Sequence, residues 1–212
     1  MDQKYYLNEP NLAKHHCTEF FERIFHELHK ELERLLETFH KNEKLKRYVF
    51  ALNEATWVGL FNNAIIRSFG ENVTTLQEMG IYEEKKFYGR VDFLVHWKSS
   101  ENAEPIHFIF EAKQNEEQNS KTILNDSSAY LENIQKQGEG YYNANKLYYK
   151  NDRVFIVPIV WGWIRKKGLI EEALKYKGFK SEIDEHIDFC SLYYEGSNGV
   201  WVYGKVCDPQ VK

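Results

Sequence analysis

The chain has 212 residues, 42% hydrophobic and 16% aromatic, with a formal net charge of −4; that is enough apolar material for one well-buried α/β domain. No run of about 18 or more apolar residues occurs, and "MDQKYYLNEPNLAKHH" lacks the basic, apolar, small-residue order of a signal peptide, so the expectation is a soluble cytoplasmic protein with no membrane partner. The three cysteines, Cys17, Cys190 and Cys207, fit neither a disulfide framework nor a zinc spacing and read as free thiols. A chain this acidic is no general binder of polyanions. Contact with nucleic acid would need local basic patches such as Lys41 to Arg47, Arg165 to Lys167 or Lys175 to Lys180.

In chain order, apolar residues recur at helical steps from Thr18 to about His40, predicting an amphipathic helix within an N-terminal helical extension over 1–41. A second helix runs from about Asn42 to Phe69 and stops at Gly70. Three strand-like segments follow, roughly Gly80 to Tyr88, Gly89 to Trp97 and Ile106 to Lys113, then a polar loop over 114–127 and a helix from about Ser128 to Tyr148. "RVFIVPIVWGW", Arg153 to Trp163, predicts a buried strand, with Pro158 placing it toward an edge or a bulge. A short helix near Leu169 to Tyr176 and a hairpin around "EGSNG" complete the chain, giving a core over 42–163 and a C-terminal helix and hairpin over 164–212.

The second and third strands carry charges where strands usually avoid them. By alternation Val91, Phe93, Val95 and Trp97 share one face, leaving Asp92 on the other; on the next strand Glu111 and Lys113 stand together. A turn centred between Glu101 and Asn102 sets Asp92 opposite Glu111, with side chains about 4.5 to 5.5 Å apart at Cβ. Two carboxylates so placed repel unless a proton or a cation lies between them. Glu54 falls on the apolar stripe of the second helix with Trp57, Val58, Phe61 and Ile65, and Gln137 sits in a stripe of Tyr130, Ile134, Tyr141 and Tyr148.

These residues resemble the PD-(D/E)XK nuclease superfamily, whose restriction-endonuclease-like core runs helix, three strands, helix, strand. Glu54 matches the helix acid, "VD" at Val91 and Asp92 the first motif with valine for its nominal proline, and "EAK" at Glu111, Ala112 and Lys113 the second. "QGEGY" from Gln137 to Tyr141 is similar to the Q-x-x-x-Y motif of the RecB-like and lambda-exonuclease-like branch.

The resemblance implies a hydrolase of phosphodiester bonds, in DNA ahead of RNA, that uses Mg²⁺ or Mn²⁺. It implies Asp92, Glu111 and the backbone carbonyl of Ala112 as metal ligands, Glu54 as a ligand of a second metal or a holder of water, and Lys113 as a group that orients or deprotonates water or neutralises developing charge. Gln137, Tyr141, Arg90 and Gln114 would support the site or touch substrate. Two other readings stay open. A nuclease fold without catalysis could bind nucleic acid or a protein partner, or assemble as a homo-oligomer; or Lys113 could pair with Glu111 or Asp92 as a buried structural ion pair.

Overall fold

The computed structural model describes residues 2–39, 53–83, 86–101, 103–114, 127–149, 152–164, 168, 170–171, 187–196 and 198–210. Asn8 accepts a side-chain bond from the Asn11 N–H at the start of α1 (Glu9–Lys14), so the segment ahead of it stays extended as strand β1 (Asp2–Leu7). The stripe read from Thr18 onward becomes α2 (Thr18–Thr38), and its Phe20, Phe21, Ile24, Phe25, Leu28 and Leu32 have no exposed surface. Six such side chains at about 1.5 to 3 kcal/mol each amount to roughly 10 kcal/mol or more of burial, so the segment read as an extension is integral to the core. Its Phe20 ring stacks on Phe108 at 4.3 Å and Phe21 on Phe189 at 4.6 Å.

The next described helix, α3, spans Glu54–Phe69; residues 42–52 of the expected helix lie outside the described residues. Asn53, with an extended ψ of 168°, caps it, its side chain accepting the Thr56 N–H at 2.9 Å. Gly70, at φ 53°, ends it as expected. A turn of 3₁₀ helix (Gly70–Asn72) leads into β2 (Val73–Glu83), then β3 (Lys86–Trp97) and β4 (Ile106–Gln114). The first two strands are longer than the sequence suggested, and their turn falls between Glu83 and Lys86. Gly80 and Gly89, given as the first residues of two expected strands, lie inside the ladder, paired with Arg90 and Ile81.

Helix α4 (Ser127–Asn145) connects β4 to β5 (Arg153–Ile164), and β6 (Phe189–Glu195) and β7 (Asn198–Gly204) form the expected hairpin, with Gly196 at φ 62° in its turn. The strands make one sheet in the order β1-β6-β7-β5-β4-β3-β2, antiparallel except for β4 beside β5. The architecture is thus α/β with a mixed seven-stranded sheet. Helices α2 and α3 cover one face in a core with Phe93, Phe110, Val157 and Trp161, and α4 packs on the other through Leu131, Ile134 and Tyr141. Gly138 permits that approach, because a Cβ there would meet Ile156 Cγ2 at 2.5 Å. Tyr130 and Tyr148, expected in the α4 stripe, are 42% and 83% exposed.

Pro158 corrects the expectation of an edge or a bulge. It lies in the middle of β5, flanked by β4 and β7, where its carbonyl accepts the Lys205 N–H at 3.2 Å. The paired bonds of Ile156 with Cys207 bracket it without a change of register, so the sheet forgoes one donor there and keeps the rest. The predicted basic runs at Lys41 to Arg47, Arg165 to Lys167 and Lys175 to Lys180 lie outside the described residues, as do 115–126 of the predicted loop and most of the predicted helix near Leu169.

Candidate active site

The β3/β4 register is the one expected from the turn, with Phe93 opposite Phe110, Leu94 opposite Ile109 and Trp97 opposite Ile106. The ladder stops at Phe93 and Phe110, one step short of the acids. There the Asp92 carboxylate takes over the role of a backbone acceptor, Oδ2 receiving the Ala112 N–H at 2.6 Å. Alternation also slips at this point. Val91 packs in the α4-side cluster with Leu94, Ile109 and Tyr141, while Phe93, Val95 and Trp97 face α2 and α3, so Val91 leaves the face expected of it.

Glu111 has no exposed surface, and neither of its carboxylate oxygens has a well-aligned hydrogen bond. The Lys113 ammonium stands 3.3 Å from Glu111 Oε1, a charge contact without hydrogen-bonding geometry, and 3.7 Å from Glu54 Oε1. The other oxygen of Glu54 accepts the Gln114 N–H at 3.2 Å, tying the first turn of α3 to the end of β4. Lys113 and Glu54 are 38% and 39% exposed, so the cluster opens to solvent on their side.

The electrostatics follow from burial of an acid-rich group. Desolvation pushes the Glu111 carboxyl up to about 8, the Asp92 charge adds to that, and Lys113 only partly offsets them. Asp92 is also raised, by burial first, against the pull of the Ala112 N–H and Lys113, with Glu54 and Glu78 contributing repulsion. For Lys113 burial works toward a lower value, but Glu111, Asp92 and Glu54 outweigh it and the ammonium is held above the ordinary lysine value.

Asp92, Glu111, Lys113, Glu54 and the Gln114 backbone are therefore brought together. Gln137 meets β3 two residues before Asp92, its side-chain amide donating to the Arg90 carbonyl at 3.0 Å. The Arg90 guanidinium pairs with Glu78 at 2.8 Å. Tyr141 is 4% exposed and its hydroxyl shares a hydrogen bond with Tyr149, so it is packed on the α4 side and is not among the groups around the acids. Glu78 is the residue that sequence reasoning missed. It falls in the part of β2 ahead of the expected strand start and belongs to no motif.

The donor set suits a hard cation: two neighbouring carboxylates, one of them buried with neither oxygen in a well-aligned hydrogen bond. Among the described residues no group of three or more His, Cys, Asp or Glu side chains is arranged around a metal position. A cation at Asp92 and Glu111 would draw its other ligands from backbone carbonyls such as that of Ala112, from water or from substrate, the mixture Mg²⁺ usually takes. Among the described residues no helix is long and apolar enough to cross a membrane. No family model matches the chain, and no curated protein or solved structure matches it significantly.

Proposed function

We propose that this chain is a divalent-metal-dependent nuclease that hydrolyses phosphodiester bonds, built on a restriction-endonuclease-like core of the PD-(D/E)XK kind. The observation that carries the reading is Glu111, a carboxylate without exposed surface whose charge is met by the Lys113 ammonium at 3.3 Å, placed beside a second, partly buried acid, Asp92. Lys113 only partly offsets the burial of that acid and the repulsion from Asp92, so a further cation would be stabilising there. Asp92 and Glu111 would hold Mg²⁺ or Mn²⁺, which when bound supplies Lewis-acid chemistry toward a phosphodiester. Lys113 enters as an ammonium, because the carboxylates around it keep it protonated. It is suited to donating hydrogen bonds to water or to charge developing on phosphate, rather than to removing a proton. Glu54 positions that ammonium and the end of β4. DNA is proposed ahead of RNA on the sequence resemblance alone.

The test incubates the purified protein with closed-circular, linear and single-stranded DNA and with RNA, in Mg²⁺, Mn²⁺ or EDTA, beside Lys113→Ala. Cation-dependent cleavage that the variant lacks, while its melting curve remains cooperative, is the expected result. Cation binding without cleavage of any substrate would move the assignment to a nuclease fold that binds without cutting. Absence of cation binding in calorimetry would sink the site.

A further inference from the structure

Among the described residues around the site, the acids leave little positive charge for a polyanion to meet. Around Asp92 stand Glu54, Glu78 and Glu111, and Lys113 is shared between Glu54 and Glu111. Among the described residues, the guanidinium beside these acids is that of Arg90, two residues before Asp92 on β3, and its backbone is fixed by the Gln137 amide. In the free protein that guanidinium is occupied by Glu78 at 2.8 Å.

Glu78 occupies a special position. Gln77 pairs with Phe93 and Met79 with Val91, which sets Glu78 opposite Asp92, and its φ of 50° is unusual for a non-glycine residue in a strand. That backbone twist interrupts the ladder beside the candidate site, where Glu78 faces Arg90. Both side chains are largely exposed, at 71% and 58%, so the pair is weak and exchangeable. An arginine fork also matches a phosphate as well as it matches a carboxylate.

We infer that Arg90 is a phosphate-contacting residue for the nucleic-acid backbone and that Glu78 is its internal competitor, a carboxylate that substrate phosphate displaces on binding. The inference rests on the nuclease reading for its ligand, and it adds to that reading a residue that restrains substrate affinity. Removing the Glu78 charge frees Arg90 and tightens binding; removing Arg90 abolishes the benefit.

The experiment measures binding of a fluorescein-labelled DNA duplex, the matching single strand and the matching RNA in EDTA, for the wild type, Glu78→Gln, Arg90→Ala and the double variant, with cleavage in Mg²⁺ followed in parallel. Glu78→Gln is expected to tighten binding by about two- to fivefold, the scale of an exposed ion pair. Arg90→Ala should weaken it and reduce the slope of log affinity against log salt by about one phosphate contact. The double variant should bind no more tightly than Arg90→Ala. An equal gain from Glu78→Gln with and without Arg90 would mean general repulsion and overturn the inference, as would no gain at all. Cleavage with no coupling between the two positions refutes the competitor and leaves the nuclease standing. Coupling in binding without cleavage refutes the nuclease and leaves the phosphate contact.

Discussion

Glu111→Gln separates the electrostatics of the site from any activity. With its carboxyl at about 8 in the folded chain against an ordinary value of 4.5, Glu111 keeps its proton on folding across that interval while the unfolded chain releases it. The native state then binds more protons than the unfolded state, so stability falls as pH rises. The contribution is fully present below 4.5 and lost through about 8, and over that interval it amounts to roughly 4 to 5 kcal/mol at 1.36 kcal/mol per pH unit. Because Glu111 has no exposed surface, solvent screening does little to reduce this. Glutamine keeps the shape and cannot ionise. Urea denaturation followed by tryptophan fluorescence at pH 5, 6, 7 and 8 should show the two proteins close together at pH 5, with the variant pulling ahead by several kcal/mol at pH 8. Mg²⁺ or Mn²⁺ at pH 8 should recover much of the difference for the wild type and none for the variant. Parallel pH profiles would refute the reasoning, since they would mean that Glu111 is solvated or that Lys113 fully offsets its burial.

Cation affinity should rise with pH up to about 8 and binding should release protons, because the raised carboxyls of Asp92 and Glu111 must ionise to serve as ligands; calorimetry in buffers of different ionisation enthalpy reads the proton count. Gly138→Ala should cost about 1 to 3 kcal/mol through overpacking, and Ile156→Ala in the same chain should return part of that by removing the atom the new Cβ meets. Asp188→Ala should cost about 1 to 3 kcal/mol, because it leaves the buried Val206 N–H and the Asn11 amide without the acceptor they reach at 2.7 and 2.6 Å; Asp188→Asn should cost less, both measured by denaturant midpoint.

The parts of this architecture legible in the sequence were those set by local periodicity. The α2 stripe, the hairpin at Gly196 and the β3/β4 register could each be read from neighbouring residues, and the register placed the two acids together before any fold was known. Long-range pairing was not legible. Nothing in "DQKYYL" says that it will pair with β6, nearly the whole chain away, and nothing around Arg153 says that β5 will be a central strand, because an apolar run with a proline in it reads the same at an edge. The α4 stripe was misread for a related reason. The eye follows large residues such as Tyr130 and Tyr148, whereas the contact with the sheet is built around Gly138, whose importance is visible only when Ile156 lies beneath it.

Apart from a register shift between Ile81 and Tyr82, three departures from regular sheet structure share one transverse row. Glu78 with its left-handed backbone lies opposite Asp92; the β3/β4 ladder ends where Asp92 would meet Glu111; and Glu111 pairs in register with Pro158, the residue of β5 that lacks an N–H. Any one of these would be tolerable at a strand end or an edge, yet here they cross four adjacent strands, three of which have neighbours on both sides. Sheets avoid such rows because each costs pairing or burial energy. The regular pairing elsewhere, with α2 and α3 buried on one face and α4 on the other, supplies the stability that lets this one row remain irregular. Local rules that fail together across strands distant in sequence indicate a constraint other than folding, and that row carries a buried carboxylate and a partly buried one, with Lys113 beside them.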